Sequence, residues 1–334
     1  MSLLDFLDFA DWKSKDGDKS EKAVAKITDQ KKLAMIATEA PHFMARKAAV
    51  VKLDAQQYQE LFANIAKYDI DRRVCVSASS KLTEQALLAD VVKKAKDSQV
   101  RRITLNKLDN QHQELFVQIA KNDSDKSVRI IATDKLSDQM LLADLAKNAK
   151  DTDVRQAAIE KMNEWHQILY AEIAKDYRAN DTLREAAVKK LTNQDLILEI
   201  AKNAKYGLRH VAIAKLNRLQ YQALFSYIAK NDHDENIRKS AVKKLTDQTL
   251  LADIAKKDGS ADIRMAAVEN LNDRHQELFA DVAANDKSAC VRIMAIQKMN
   301  LQQQQTLLSY IAENDQEDWV RKTATEKLSG KSST

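Results

Sequence analysis

Arginine stands at Arg46, Arg101, Arg129, Arg155, Arg184, Arg209, Arg238, Arg264, Arg292 and Arg321. A row of guanidinium groups is well suited to holding phosphates or carboxylates, so these residues are the first candidates for chemistry. His112, His166 and His275 occupy one recurring position and could be metal ligands or proton carriers. Cys75 and Cys290 are two lone thiols in a chain with no CxxC and no HExxH. Four scattered glycines permit neither GxGxxG nor a phosphate-binding P-loop. Residues 201–257 hold twelve Lys or Arg against five Asp or Glu, an excess that could attract phosphates.

The placement of these residues decides among the readings. Phe62, Phe116, Tyr170, Phe225 and Phe279 are spaced by 54 or 55 residues, and halving that period gives the unit. An apolar anchor marks each copy: Ile27, Leu53, Leu82, Leu108, Leu136, Met162, Leu191, Leu216, Leu245, Leu271, Met299 and Leu328. Shorter and longer units alternate up to the end. Self-similarity of this kind predicts a stacked array rather than a globule around one cleft. Each unit reads as two helices, A and then B. The residue after each of the first eleven anchors is Ser, Thr, Asp or Asn, expected to cap helix A. Helix B is expected to end at the anchor, over 154–162 in one unit. Pro41 falls where a B helix should begin, in a first turn that tolerates it.

Each arginine of the row lies seven residues before its anchor. At about 100° per residue that is about 20° from the anchor, inside the apolar arc. A guanidinium there needs a partner on an adjacent repeat. Asp71, Asp97, Asp125, Asp151 and Asp234, four residues before the column, are the expected partners, and the row reads as structural. Lys precedes the anchor in every unit but the one with Asn270, where a cation complements the helix C-terminus. The histidines are about 20 Å apart if repeats stack at two helix spacings, too far to share a metal. Cys75 reads as a small buried hydrophobe, and the Phe62–Phe279 column as core.

The run D-x-x-VR-x-x-A-x-x-K-L resembles HEAT-like repeats, especially the short kind of phycobilisome-lyase-type proteins. Segments such as LLADLAKN (141–148) are also similar to the leucine-rich-variant repeat of bacterial proteins. The resemblance covers about residues 20–329. It implies an all-α fold: a right-handed α-α superhelix, or solenoid, of about eleven short two-helix repeats plus a final half repeat, with B helices lining the concave face. It also implies a protein-binding scaffold and a bacterial source.

Residues 1–19 form a capping helix or partner motif with a linker, 20–329 the solenoid, and 330–334 a flexible tail. Phe6, Phe9 and Trp12 lie in that segment, and a helix there would place Phe9, Phe6, Ala10, Leu3 and Leu7 on one arc, with Asp8 and Asp5 opposite. No secretory signal or long apolar run is present, so a cytoplasmic location is expected. No enzymatic constellation and no cofactor or metal site is expected. Function should lie where the repeat leaves positions free, six and two residues before the anchor on helix B. The candidate partner-binding residues are Val76, Arg102, Ile130, Gln156, Lys189, His210, Lys239, Lys243, Met265 and Ile293. The leading expectation is a non-catalytic protein-binding scaffold. The alternative is a nucleic-acid-binding protein, related to DNA repair, that uses 201–257. A third, carried by the resemblance alone, is a chromophore lyase subunit.

Overall fold

The computed structural model of the protein describes residues 11–204 and 206–330. The aromatic residues Phe6 and Phe9 and the tail after Gly330 lie outside them. Among the described residues there are twenty-three α-helices and no strand. The chain divides into two compact units, Met1–Asn163 and Glu164–Thr334. The first unit opens with a single helix, Gly17–Ala25, which packs on the B helix Phe43–Lys52. Five A–B hairpins complete it, ending with Gln139–Asn148 and Thr152–Lys161. The second unit holds six hairpins, from Gln167–Lys175 and Asp181–Lys190 to Leu301–Asn314 and Asp318–Leu328. The half repeat therefore stands at the start of the described residues. Its helix begins inside the stretch read as a linker, because the Asp16 carboxylate caps it through the Lys19 amide. Trp12, in the turn before it, is buried.

Helix starts differ from the expected caps for a physical reason. In four of the five shorter units two cap-type residues follow the anchor, and the second does the work: Asp29, Asp138, Asn193 and Asp247 accept from the first-turn amides, not Thr28, Ser137, Thr192 and Thr246. In the fifth the second residue is Glu84, whose side chain makes no cap bond. In the longer units the extra residues form a turn of their own. Asp54 caps that turn through the amides of Gln56 and Gln57, and helix A starts later, at Gln59. Asn300 caps as expected. Pro41 precedes its B helix, which His42 caps.

The first eleven anchors are buried, as is every aromatic of the Phe62–Phe279 column. The core therefore runs between the A and B layers of each hairpin and its neighbours. In both units successive B helices pack closely, while successive A helices stand further apart at most steps. Each unit therefore curves toward its B face.

Candidate partner-binding face

The arginine row is engaged along the edge formed by the A–B loops. Arg101 donates through Nε and Nη2 to the two carboxylate oxygens of Asp123 in the next repeat, each at 2.7 Å. Its Nη1 donates to the Ala95 and Lys96 carbonyls of its own loop. The same fork joins Arg46 to Asp69, Arg264 to Asp286 and Arg292 to Asp315. Arg129 pairs with Asp151, Arg209 with Asp232, and Arg238 more loosely with Asp258 at 3.6 Å. Arg321 pairs within its own helix with Asp318, and Arg184 donates to the Ala174 carbonyl and to Asp181. Arg155 donates to the Ala146 carbonyl.

Of the expected partners, Asp151 alone meets a row arginine. Asp71, Asp97, Asp125 and Asp234 are instead N-caps of their own B helices. The usual partner lies at the end of the next A helix, as with Asp123, Asp286 and Asp315. There the carboxylate also accepts the backbone amide two residues on, as Asp123 does from Asp125, which closes the loop. Burial pushes the carboxyls of Asp286 and Asp315 up, but the guanidinium groups of Arg264 and Arg292, with a backbone amide each, hold them below the usual range. Hydrogen bonds to Asp69 raise Arg46 further, against its burial.

The opposite edge is held by neutral groups and lysines. The Gln59 side-chain oxygen accepts the amides of Thr83 and Glu84 in the next repeat. Gln30, Gln85, Gln113, Gln139, Gln167, Gln194, Gln222, Gln248 and Gln276 do likewise. Each is the first residue of an A helix. This row escaped the sequence reading although glutamine recurs after every anchor but the last, because its partners are backbone amides. The lysines before the anchors reach back to the preceding B helix rather than capping their own. Lys107 donates to the carbonyls of Ser79, Ser80 and Leu82, and Asn270 substitutes with a bond to the Val242 carbonyl. Burial lowers the pKa of Lys81, Lys107, Lys135, Lys215 and Lys244.

With the core and both edges committed, the B face is the surface left to vary. Lys189, His210 and Lys243 are exposed there. Val76, Arg102, Ile130, Gln156, Lys239, Met265 and Ile293 are half-buried, because close B–B packing covers part of each side chain. Lys189 pairs with Glu185 on its own helix, Gln156 with Glu160, and Lys239 with Asp262 of the next repeat at 2.5 Å. Among the described residues, the freely exposed large apolar side chains of the B helices are Val51 and Trp319. One groove of about 450 Å³ brings His210, Lys239 and Lys243 together with Asn236 and Ser240. Gly207 lines it too, and nothing lies within 4 Å of where its Cβ would stand. A glycine in the first turn of a B helix was the available signal for that opening.

The other chemical candidates are local. His112 Nδ1 lies 2.9 Å from Asp109 in its own turn, and His275 Nδ1 lies 3.0 Å from the Asn272 side-chain oxygen. Cys75 is buried, and burial pushes its thiol up to about 11. Cys290 is exposed on the B face. Among the described residues no helix is long and apolar enough to cross a membrane.

No family model matches the chain, and no curated protein does. Among solved structures it is similar to a leucine-rich repeat variant with a novel repetitive structural motif, at 17% identity over 67% of this chain and 85% of that one, TM-score 0.49. It is also similar to Kap95p bound to RanGDP, at 10% identity over 89% and 49%, TM-score 0.45. A third similarity is to Kap121p bound to Nup53p, at 10% over 96% and 44%, TM-score 0.40. The chain spans about half the length of the latter two. By its own hairpin geometry, each unit is an all-α array of short two-helix repeats with successive B helices packed together.

Proposed function

We propose that the protein is a non-catalytic scaffold whose B face receives a protein or peptide segment. The observation that carries this reading is the division of labour among the columns. The Arg–Asp, Gln and Lys rows and the core occupy the repeating positions, and the groove beside Gly207 opens among the varying ones. Half-buried Ile130, Met265 and Ile293 offer apolar contact that needs little ordering of side chains, and His210 and Lys243 offer charge.

The nucleic-acid reading loses most of its cations. Within 201–257, Arg209, Arg238, Lys239, Lys256 and Lys257 sit in ion pairs. Lys215, Arg218 and Lys244 donate to backbone carbonyls. Cations already paired with carboxylates release few counterions from a phosphate chain, and those bound to carbonyls are held in place for the fold.

The test is affinity capture with the wild type and with a variant carrying Ile130→Ser, Met265→Ser and Ile293→Ser, each checked for an unchanged melting curve. The expected result is a protein partner lost in the variant and insensitive to nuclease. Steeply salt-dependent binding to duplex DNA or RNA, abolished by His210→Glu with Lys243→Glu, would overturn the reading.

A further inference from the structure

The arginine row is interrupted at Cys75, and the surroundings there still follow the pattern that holds a guanidinium elsewhere. A row arginine donates Nη1 to the carbonyls six and five residues before it, and Nε and Nη2 to an aspartate of the next repeat, as Arg101 does. Six residues before Cys75 is the Asp69 carbonyl, which accepts from the thiol at 3.2 Å. Five before it is Ile70. The next repeat supplies Asp97, whose Oδ1 accepts the amides of Gln99 and Val100. Asp151 uses its Oδ1 in the same way while its Oδ2 takes Arg129.

A recess of about 410 Å³ opens at this point, lined by Tyr68, Ile70, Arg72, Cys75 and Asp97. Comparable grooves lie beside Tyr227 and Tyr310, but their walls carry Arg209 and Arg292, already paired with Asp232 and Asp315. At Cys75 the row position is an uncharged thiol; Lys67, paired with Asp90, and Lys96 also line the recess. Asp97 Oδ2 instead meets Arg72 Nε at 3.2 Å, from a side chain that is 58% exposed. The rim is apolar and faces outward: Tyr68 is 65% and Ile70 93% exposed.

We propose that this recess binds an arginine side chain presented by a partner protein. The incoming guanidinium takes the place that a row arginine holds elsewhere, donates to the Asp97 carboxylate and the Ile70 carbonyl, and lies against the Tyr68 ring. Ile70 packs on its aliphatic stem. Arg72 swings out to solvent, exchanging one exposed contact for a forked one. A planar fork suits this geometry and a lysine ammonium does not. The site lies on the A–B loop edge of the first unit and shares no residue with the B-face groove, so it stands or falls separately from the scaffold reading.

The experiment titrates the full chain with the peptide acetyl-Gly-Arg-Gly-amide and with its lysine counterpart, following backbone amide resonances. Saturable shifts at Ile70 and Gln99 are expected with the arginine peptide, and binding of the lysine peptide about tenfold weaker. Cys75→Arg fills the recess from within, so it should raise the melting temperature and abolish binding. Arg72→Ala removes the competitor and should tighten binding, whereas Asp97→Asn, which keeps the helix cap, should weaken it about tenfold. Equal response to both peptides, undiminished binding in folded Cys75→Arg, or no tightening in Arg72→Ala would overturn the proposal. Should Cys75→Arg not fold, the other two variants decide it.

Discussion

Arg264 and Asp286 meet through two hydrogen bonds of 2.7 Å between adjacent repeats, with only 3% and 8% of their side chains exposed. Removing one partner of such a pair leaves a buried charge without its counterpart. Arg264→Ala is therefore expected to cost about 3–5 kcal/mol. Hydrogen exchange should show the loss in the B helices Ala261–Asn270 and Ala289–Lys298 first. Arg264→Lys should recover only part of it, because an ammonium cannot span both oxygens and the loop carbonyls together.

The neutral edge should respond more mildly. Gln113→Ala strands the amides of Ser137 and Asp138, which it accepts at 2.9 and 3.1 Å. A loss of about 1–2 kcal/mol is expected for exposed bonds of this kind, read from urea titrations. Gln113→Glu keeps the acceptor and should lose less.

Acid should act through the Asp row. Burial pushes Asp151, Asp286 and Asp315 up, but their arginines and a backbone amide each outweigh it and leave them below the ordinary range. A depressed folded pKa means stability that is complete above the unfolded value, about 4, and lost as pH falls through the folded values. Melting temperature should hold above about pH 5 and drop below about pH 4. In Asp286→Asn the drop should be shallower, from a lower starting point.

Gly207 lies in the first turn of Tyr206–Lys215 with open space around its missing side chain. Gly207→Ala should raise stability by about 0.4–1 kcal/mol by restricting the unfolded chain. Gly207→Trp should leave the fold intact and block the B-face groove. Calorimetry and partner capture on the two variants separate these effects.

The core was legible because burial imposes a helical period that composition cannot hide: Leu82, Leu108 and Leu245 stand buried where the spacing put them. The Arg row was legible as structural for the same reason, since seven residues before an anchor is the inner face. Its partners were not. Asp123 and Asp286 lie on the following A helix, and a wheel drawn for one B helix carries no information about its neighbour. The caps slipped by one residue where Thr28 and Asp29 are equally good by type, and by more where added residues such as those after Asp54 made their own turn. On the B face, spacing placed Lys243 and His210 in the open. It gave no warning that Asp262 would claim Lys239, because that contact crosses to the next repeat.

The two margins of each unit are stitched with different thread. One uses carboxylates that a proton can neutralise. The other uses glutamine amides and backbone carbonyls, which mild acid leaves unchanged. Acidification therefore unfastens one margin while the other keeps its seam, and the helices fan apart like pages from a bound spine. A partner seated on the curved face would feel that splaying as a change in the spacing of its contacts, with no titrating group of its own.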